Sequence, residues 1–541
     1  MSSPDTYLPP WGQEELPEPA PLSWRNWAGF IGPGIVMMGI QIGGGEWLFG
    51  PIITAQYGGG LMWIATIAII LQVFYNIECG RYALYCGEPV MTGFMRVSPG
   101  PRFWVAVVLL LSASAFIPGL SSHAGILIAS MILDRPPGAE DQTLVTAFSF
   151  LCMFAVTLPV LIGGKVYNML QVVMTGKVII VLSFCLVMGL LFVGWDHWLE
   201  VFSGFFKFGV LPVMHEGREV PLNVLRYRWD YGEWPSISFT NIATIGAFAG
   251  YAGGGGLANS TYSNFVRDKG WGMGKLVGAI PSAVGGRHIT LSHVGKVFPL
   301  TSGNLRRWSG WWRYILTDQL LVWAPGCFMG MALPALLSLQ FASNSELYTN
   351  KAKRDLAQSV LSADGIRHSA QFNGGVAVPP ESSQTSNLAK TMWLLTLFVG
   401  LAVFLPSQMS VVEDFSRRWT DTIWSSNQRV QKTMRADQVK YIYYAILTAY
   451  VLWTFVVWAL FSAYGTPKLM VEVIANFGNL AIGVTSLMIL RINRTLLPPQ
   501  LQPRWYHQAG ILCCGVFYIG LFFLVIVAKF GPLVQKWASG S

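Results

Sequence analysis

The chain has 541 residues, 53% of them apolar and only 12% charged, with a mean hydropathy of +0.46. A soluble globule carries about 25% charge, so this composition excludes one and places the chain in a bilayer. The 36 Lys and Arg against 27 Asp and Glu leave a net charge of +9, which anionic lipid and the positive-inside bias explain without a nucleic acid partner.

The 22 Trp, 57 Gly and 30 Pro suit helices with aromatic belts and broken segments, and the ten-residue alternation of a membrane barrel is absent. The seven cysteines make no C-x-x-C pair, so neither a disulfide framework nor a zinc site is indicated. No H-E-x-x-H, G-x-S-x-G or phosphate-loop motif stands in the right context, so an enzyme is not expected and no cofactor is called for.

In chain order, residues 1–26 are rich in Pro and acids, without a basic start or an apolar run, and predict a disordered cytoplasmic tail rather than a signal peptide. Eleven apolar stretches then reach the roughly 20 residues that cross a bilayer. They are Trp27–Tyr57, Leu61–Leu84, Phe103–Leu133, Leu144–Ile162, Asn168–Gly194, Ile237–Val266, Tyr314–Leu339, Thr391–Val412, Val439–Ala463, Leu469–Ile492 and Ala509–Ala528. Residues 27–194 form one set of five and 237–492 a second set with long loops. An extracellular loop, 195–236, lies between them, and 493–541 hold an eleventh helix and a C-terminal tail. With the N-terminus inside, the cytoplasmic segments hold more Lys and Arg than the outside ones, and most of that inside total sits in Arg267–Arg313 and Arg417–Lys440, which predicts a cytoplasmic N-terminus and an extracytoplasmic C-terminus in a bacterial inner membrane.

Two runs interrupt the apolar pattern at matching places, Gly43-Gly44-Gly45-Glu46 in the first span and Gly253-Gly254-Gly255-Gly256 in the sixth. Each glycine destabilises a helix by about 1 kcal/mol relative to Ala, so both helices are expected to unwind there. Broken segments at the first member of each five-helix set point to the midplane site of an inverted-repeat transporter; close helix packing is the plainer reading of glycine. Glu46 would cost at least about 2.5 kcal/mol inside a span, and reads either as a cap on the restarting helix or as a cation or proton ligand. Lys177, about ten residues into the fifth span, reads as half of a structural ion pair or as a fixed or titratable coupling charge. Glu78 and Arg81 are spaced to pair on one helix face. His123 and Asp318 are candidates for a proton route or for plain hydrogen-bonded packing, and Gln408 and Asn479 for interhelical contacts.

Gly32-Pro33-Gly34, then eight residues, then Gly43-Gly44-Gly45-Glu46-Trp47 resembles the Nramp family of divalent-metal transporters, whose Gly-Pro-Gly start precedes an Asp-Pro-Gly-Asn-Trp break at the same offset. The similarity runs through Tyr57-Gly58, Trp63, Arg81 and Gly87. It returns at Tyr262-Ser263 with Val266, at Pro406-Ser407-Gln408-Met409-Ser410 and at Gly478-Asn479-Leu480. The resemblance implies an all-α integral membrane protein of the leucine-transporter fold. In that fold ten helices form two inverted five-helix repeats, an eleventh helix follows them, helices one and six are discontinuous, and access alternates around them. It also implies proton-linked import of manganese or iron. Here the sequence departs from the family: its metal-binding Asp falls at Gly43, its Asn at Glu46, its Met at about Gly255 and its proton-linked His at Tyr262. Loss of the thioether argues against a soft transition metal.

The expectation is therefore a secondary transporter of a hard, partly hydrated divalent cation. The alternatives are a non-metal organic or anionic solute, and a membrane sensor that binds without transport. The expected binding set is Gln41, Gly43, Gly44, Gly45, Glu46, Ala252, Gly253, Gly254, Gly255, Gly256, Asn259 and Asn479, with Glu46 as the metal ligand. Lys177, Tyr262 and His123 are the expected coupling groups, and the partners are a small ion or solute, the lipid bilayer and protons.

Overall fold

The computed structural model describes all residues except 1–6, 24–31, 163, 285, 287, 381, 383, 462–465 and 539–541. Residues 27–31 of the first expected span lie outside the described residues, as do 1–6 and 24–26 of the expected tail. The chain is a helical bundle, and each of the eleven expected spans corresponds to a helix or a broken helix.

Helix α1 comprises Pro33–Gln41 and Gly50–Tyr57, joined by a π-helical turn over Gly45–Phe49. Then come α2 (Met62–Cys86), α3 (Pro101–Leu111 and Gly119–Leu133), α4 (Gln142–Thr157) and α5 (Val166–Phe192). The second set begins with α6 (Ile242–Tyr251 and Ala258–Lys269). It continues with α7 (Ser302–Thr317, a π turn over Asp318–Trp323, and Ala324–Phe341), α8 (Asn387–Ser426), α9 (Val439–Phe461) and α10 (Pro467–Leu496). The eleventh helix, α11, is Trp505–Ala538.

Among the described residues, eight helical runs are long and apolar enough to cross a membrane. The shortfall from eleven has a structural reason. α1 and α2 run together through a 3-10 turn at Gly58–Leu61, while α3 and α6 are each split into short halves. Leu191, Leu321 and Val516 stand exposed on the outside of the bundle, as a surface solvated by lipid requires. The molecule is an integral membrane protein.

The unwinding in α1 is narrower than its glycine run suggests. It falls at Ile42 and Gly43, after which Gly44 onward is already helical. In α6 it spans Ala252–Leu257, where Gly255 and Gly256 take φ of +67° and +58°, a left-handed conformation open to glycine without steric cost. α3 breaks too, at a 3-10 turn over Ser112–Phe116 followed by Pro118. No glycine run announces that break.

The disordered tail expected for residues 1–26 is corrected for 7–23. Gly12–Gln13 pairs in parallel with Lys296–Val297, and Leu8 and Leu16 are buried. Trp11 packs edge-on against Tyr85 with the Arg96 guanidinium over its ring. Proline has no N–H to satisfy, and here its carbonyls serve as anchors: Arg96 donates to Pro9 O at 2.8 Å and Trp311 Nε1 to Pro17 O at 2.7 Å. Three apolar anchors and these acceptors order a stretch whose composition alone reads as unstructured.

Candidate functional site

The two breaks meet. A Cβ on Gly45 would stand 2.6 Å from both the Cβ and the carbonyl of Tyr251, so the restart of α1 presses directly on the end of the first half of α6. Beside this contact lies a cavity of about 90 Å³, large enough for several waters or a small solute. Its wall has three parts. Backbone and small groups come from Gly44 and from Gly253 through Ala258. Apolar side chains come from Ile40, Ile117, Leu120, Tyr251, Val411 and Ile474. Polar side chains come from Gln41 and from a stripe of α8, Ser407, Gln408, Ser410, Asp414 and Arg418.

Of the expected binding residues, Gln41, Gly44 and Gly253 to Gly256 line this cavity, and Gly43, Gly45, Glu46, Ala252, Asn259 and Asn479 do not. Glu46 is 1% exposed and turns back on its own chain, its Oε2 accepting the Gly43 N–H at 2.9 Å. A first-turn side chain reaching back to the amide before the restart is the carboxylate half of a capping box, and Glu46 Cγ lies beside Gly330 of α7, 3.6 Å from where a Cβ on that glycine would stand. Among the described residues no group of three His, Cys, Asp or Glu could hold a metal ion. Asn479 ties α10 to the first half of α6, donating to Gly246 O at 3.0 Å.

Lys177 is 2% exposed and donates to Ser407 Oγ at 2.5 Å. It forms no ion pair among the described residues, although its charge and that of Glu46 act on one another. Ser407 in turn lies where a Cβ on Gly43 would come within 2.8 Å. The lysine thus reaches the cavity wall and the α1 break through one hydroxyl. His123 sits elsewhere, stacked on Phe404 with ring centroids 5.5 Å apart.

A chain of buried amides leads away from the cavity. Gly254 N donates to Gln72 Oε1 at 2.6 Å, and Asn259 Nδ2 donates to that oxygen and to Asn76 Oδ1, both at 2.9 Å. Asn76 Nδ2 donates to Gln319 Oε1 at 3.0 Å, and Gln319 Nε2 to Asp318 Oδ2 at 3.1 Å. Tyr262 belongs to this chain rather than to the cavity, its hydroxyl donating to Asp318 Oδ2 at 2.8 Å.

Sequence reasoning missed Asp414 and Arg418. The apolar window of the eighth span ends at Val412, whereas α8 continues to Ser426. The available signal was spacing: Ser407, Val411, Asp414 and Arg418 follow one another by four, three and four residues, a single helical stripe. Asp414 is engaged already, paired with Arg418 at 2.7 Å and accepting from Thr261. Arg418 Nε and Nη1 and Gln41 Nε2 are buried donors without a hydrogen-bond partner among the described residues. Glu78 and Arg81 pair at 2.8 Å, as their spacing requires.

No protein-family profile matches the chain, and no curated protein matches it by sequence. Solved structures do match. The Eremococcus coleocola manganese transporter in complex with an aromatic bis-isothiourea substituted compound is 12% identical; the match covers 95% of this chain and 96% of that one at a TM-score of 0.55. A histidine-to-alanine variant of the same transporter is 12% identical over 97% of each chain, also at 0.55. At that identity the likeness speaks for the fold. The chain has the leucine-transporter fold, shared with that transporter: two inverted five-helix repeats and an eleventh helix, with α1 and α6 discontinuous.

Proposed function

We propose that this protein is a secondary transporter whose cargo is a small organic solute bearing a carbonyl or carboxylate, carried in the cavity between the breaks of α1 and α6. One observation supports this above the others: the buried side-chain atoms of the cavity wall that lack a hydrogen-bond partner among the described residues are donors. Arg418 and Gln41 present N–H groups without partners, and buried donors of that kind need an acceptor from somewhere. A hard divalent cation wants about six oxygens. Here the one carboxylate in the wall, Asp414, is held by Arg418 and Thr261, and an arginine beside the site repels a cation. The apolar remainder of the wall suits a solute with a hydrocarbon portion.

The divalent-cation reading keeps one support, the shared fold with a manganese transporter. Uptake into proteoliposomes separates the two. With manganese, magnesium and calcium in one arm and small carboxylates and zwitterions in the other, saturable uptake is expected only in the organic arm, and Arg418→Gln is expected to weaken it about tenfold or more. Metal entry above that of empty liposomes, unaffected by Arg418→Gln, would overturn the organic reading.

A further inference from the structure

Asp318 opens the π turn of α7 and is wholly buried. Donors from three elements reach it, with the backbone of Gly32, just before α1, as a further one. Gly34 N, in the first turn of α1, donates to Oδ1 at 2.8 Å; Tyr262 OH, in the second half of α6, donates to Oδ2 at 2.8 Å; Gln319 donates to Oδ2 at 3.1 Å. One carboxylate therefore clasps the two half-helices that lie beyond the breaks. π turns concentrate at functional sites in helices. A closer fit than this clasp is not available, since a Cβ on Gly34 would stand 2.6 Å from Asp318 Oδ1.

We propose that Asp318 is a proton-binding site that holds the first half of α1 and the second half of α6 together when ionised and lets them part when protonated. An ionised carboxylate only accepts hydrogen bonds, and a proton turns one of its oxygens into a donor. A proton on Asp318 takes the charge out of the bonds from Gly34, Tyr262 and Gln319, leaving neutral bonds about half as strong, and gives Oδ2 an O–H that the Tyr262 hydroxyl must turn to accept. The Tyr262 hydroxyl can rotate away. The Gln319 amide cannot reverse without turning its Nε2 against Asn76 Nδ2, which donates to Gln319 Oε1. The disturbance then passes along Asn76, Asn259 and Gln72 to the Gly254 N–H in the cavity wall.

The charged and titratable groups facing Asp318 are few. Lys269, at the end of α6, reaches it electrostatically, and Tyr262 and Tyr167 face it from α6 and α5. α1 and α2 present the neutral Gly34 amide and Asn76. At contact distance the carboxylate is held by the Gly34, Tyr262 and Gln319 donors, whose bonds its own protonation weakens. Because the amide chain ends at the cavity, a solute bound there and a proton bound at Asp318 must alter each other's affinity by the same factor.

Hydrogen–deuterium exchange of the full chain in lipid nanodiscs tests this without any solute, so it can fail while the transport reading stands. With rates normalised to intrinsic exchange, peptides covering 33–41 and 258–269 should lose protection together as the medium is made acidic, with a common midpoint, while 142–157 does not. Asp318→Asn should exchange roughly tenfold faster or more in both peptides at alkaline pH, the factor for losing one charge-assisted hydrogen bond, and show no midpoint. If Asp318→Asn does not fold, Gly34→Ala displaces the carboxylate without removing it and should deprotect 33–41 at alkaline pH. Protection that ignores pH in the wild type, two peptides titrating apart, a wild-type midpoint in Asp318→Asn, or unaltered protection in Gly34→Ala would overturn the proposal.

Discussion

Glu46 and Lys177 are the two ionisable residues that stand out from the apolar spans, and their surroundings set different tasks for them. Glu46 spends one oxygen on the Gly43 N–H, so its removal should act on stability. Glu46→Ala is expected to lower it by about 0.5–2 kcal/mol, the usual cost of losing a helix cap, measured by thermal unfolding in detergent, with solute affinity little changed. Lys177 hydrogen-bonds a hydroxyl and leaves no ion-paired carboxylate behind. Lys177→Met, close in volume, should therefore fold with a stability within about 1.5 kcal/mol of the wild type while altering the pH dependence of uptake if the ammonium takes part in coupling. Gly255 is held at a φ of +67°; Gly255→Ala should cost about 1–2 kcal/mol from the left-handed conformation alone, with uptake falling because the altered loop is the cavity wall.

At the level of elements, α8 is the piece that joins the cavity to the rest of the bundle. Its far end carries Glu413, Asp414, Arg417, Arg418 and Asp421, all buried. They interlock with the second half of α6: Arg267 bonds Asp421 at 2.6 Å and Asp268 at 2.8 Å, and Arg417 bonds Asp268 and, at 2.6 Å, Glu413. Removing one member of such a group strands the others. Arg417→Met is expected to destabilise by about 3–5 kcal/mol, in contrast to the mild Lys177→Met, and the pair of thermal melts checks the difference between a paired and an unpaired buried cation. The network also explains why α8 outruns its apolar window. Charged residues extend a helix into a packed interior when each finds its partner there, and hydropathy alone cannot see the partner. α3 teaches the same lesson from another side, since its break at Ser112–Phe116 puts Ala115 and Ile117 into the cavity wall without any glycine run.

On the scale of the whole molecule, the N-terminal segment works as a strap across the loops beside α2 and α7. Leu16 is 1% exposed, and its N–H bonds Asn304 Oδ1 at 3.2 Å. Leu16→Ala should cost about 2–5 kcal/mol, as for any large core deletion, and limited proteolysis should then cut within residues 7–23, which a disordered tail would allow in the wild type as well. The breaks of α1 and α6 fall at matched positions in the two sets of five helices, and the chain shares its fold with the manganese transporter.

Hydropathy by itself determined the number of helices, their grouping and the places where α1 and α6 lose their regular hydrogen bonding, because apolar length and glycine density act locally along the chain. Which polar groups face the cavity was decided by the tertiary structure. Glu46 is not among the residues that line it, Arg418 is, and Asp318 joins two half-helices far apart in sequence. A side chain's partner depends on how neighbouring helices rotate and cross, and that information lies in the packing of the bundle rather than in any single stretch of residues.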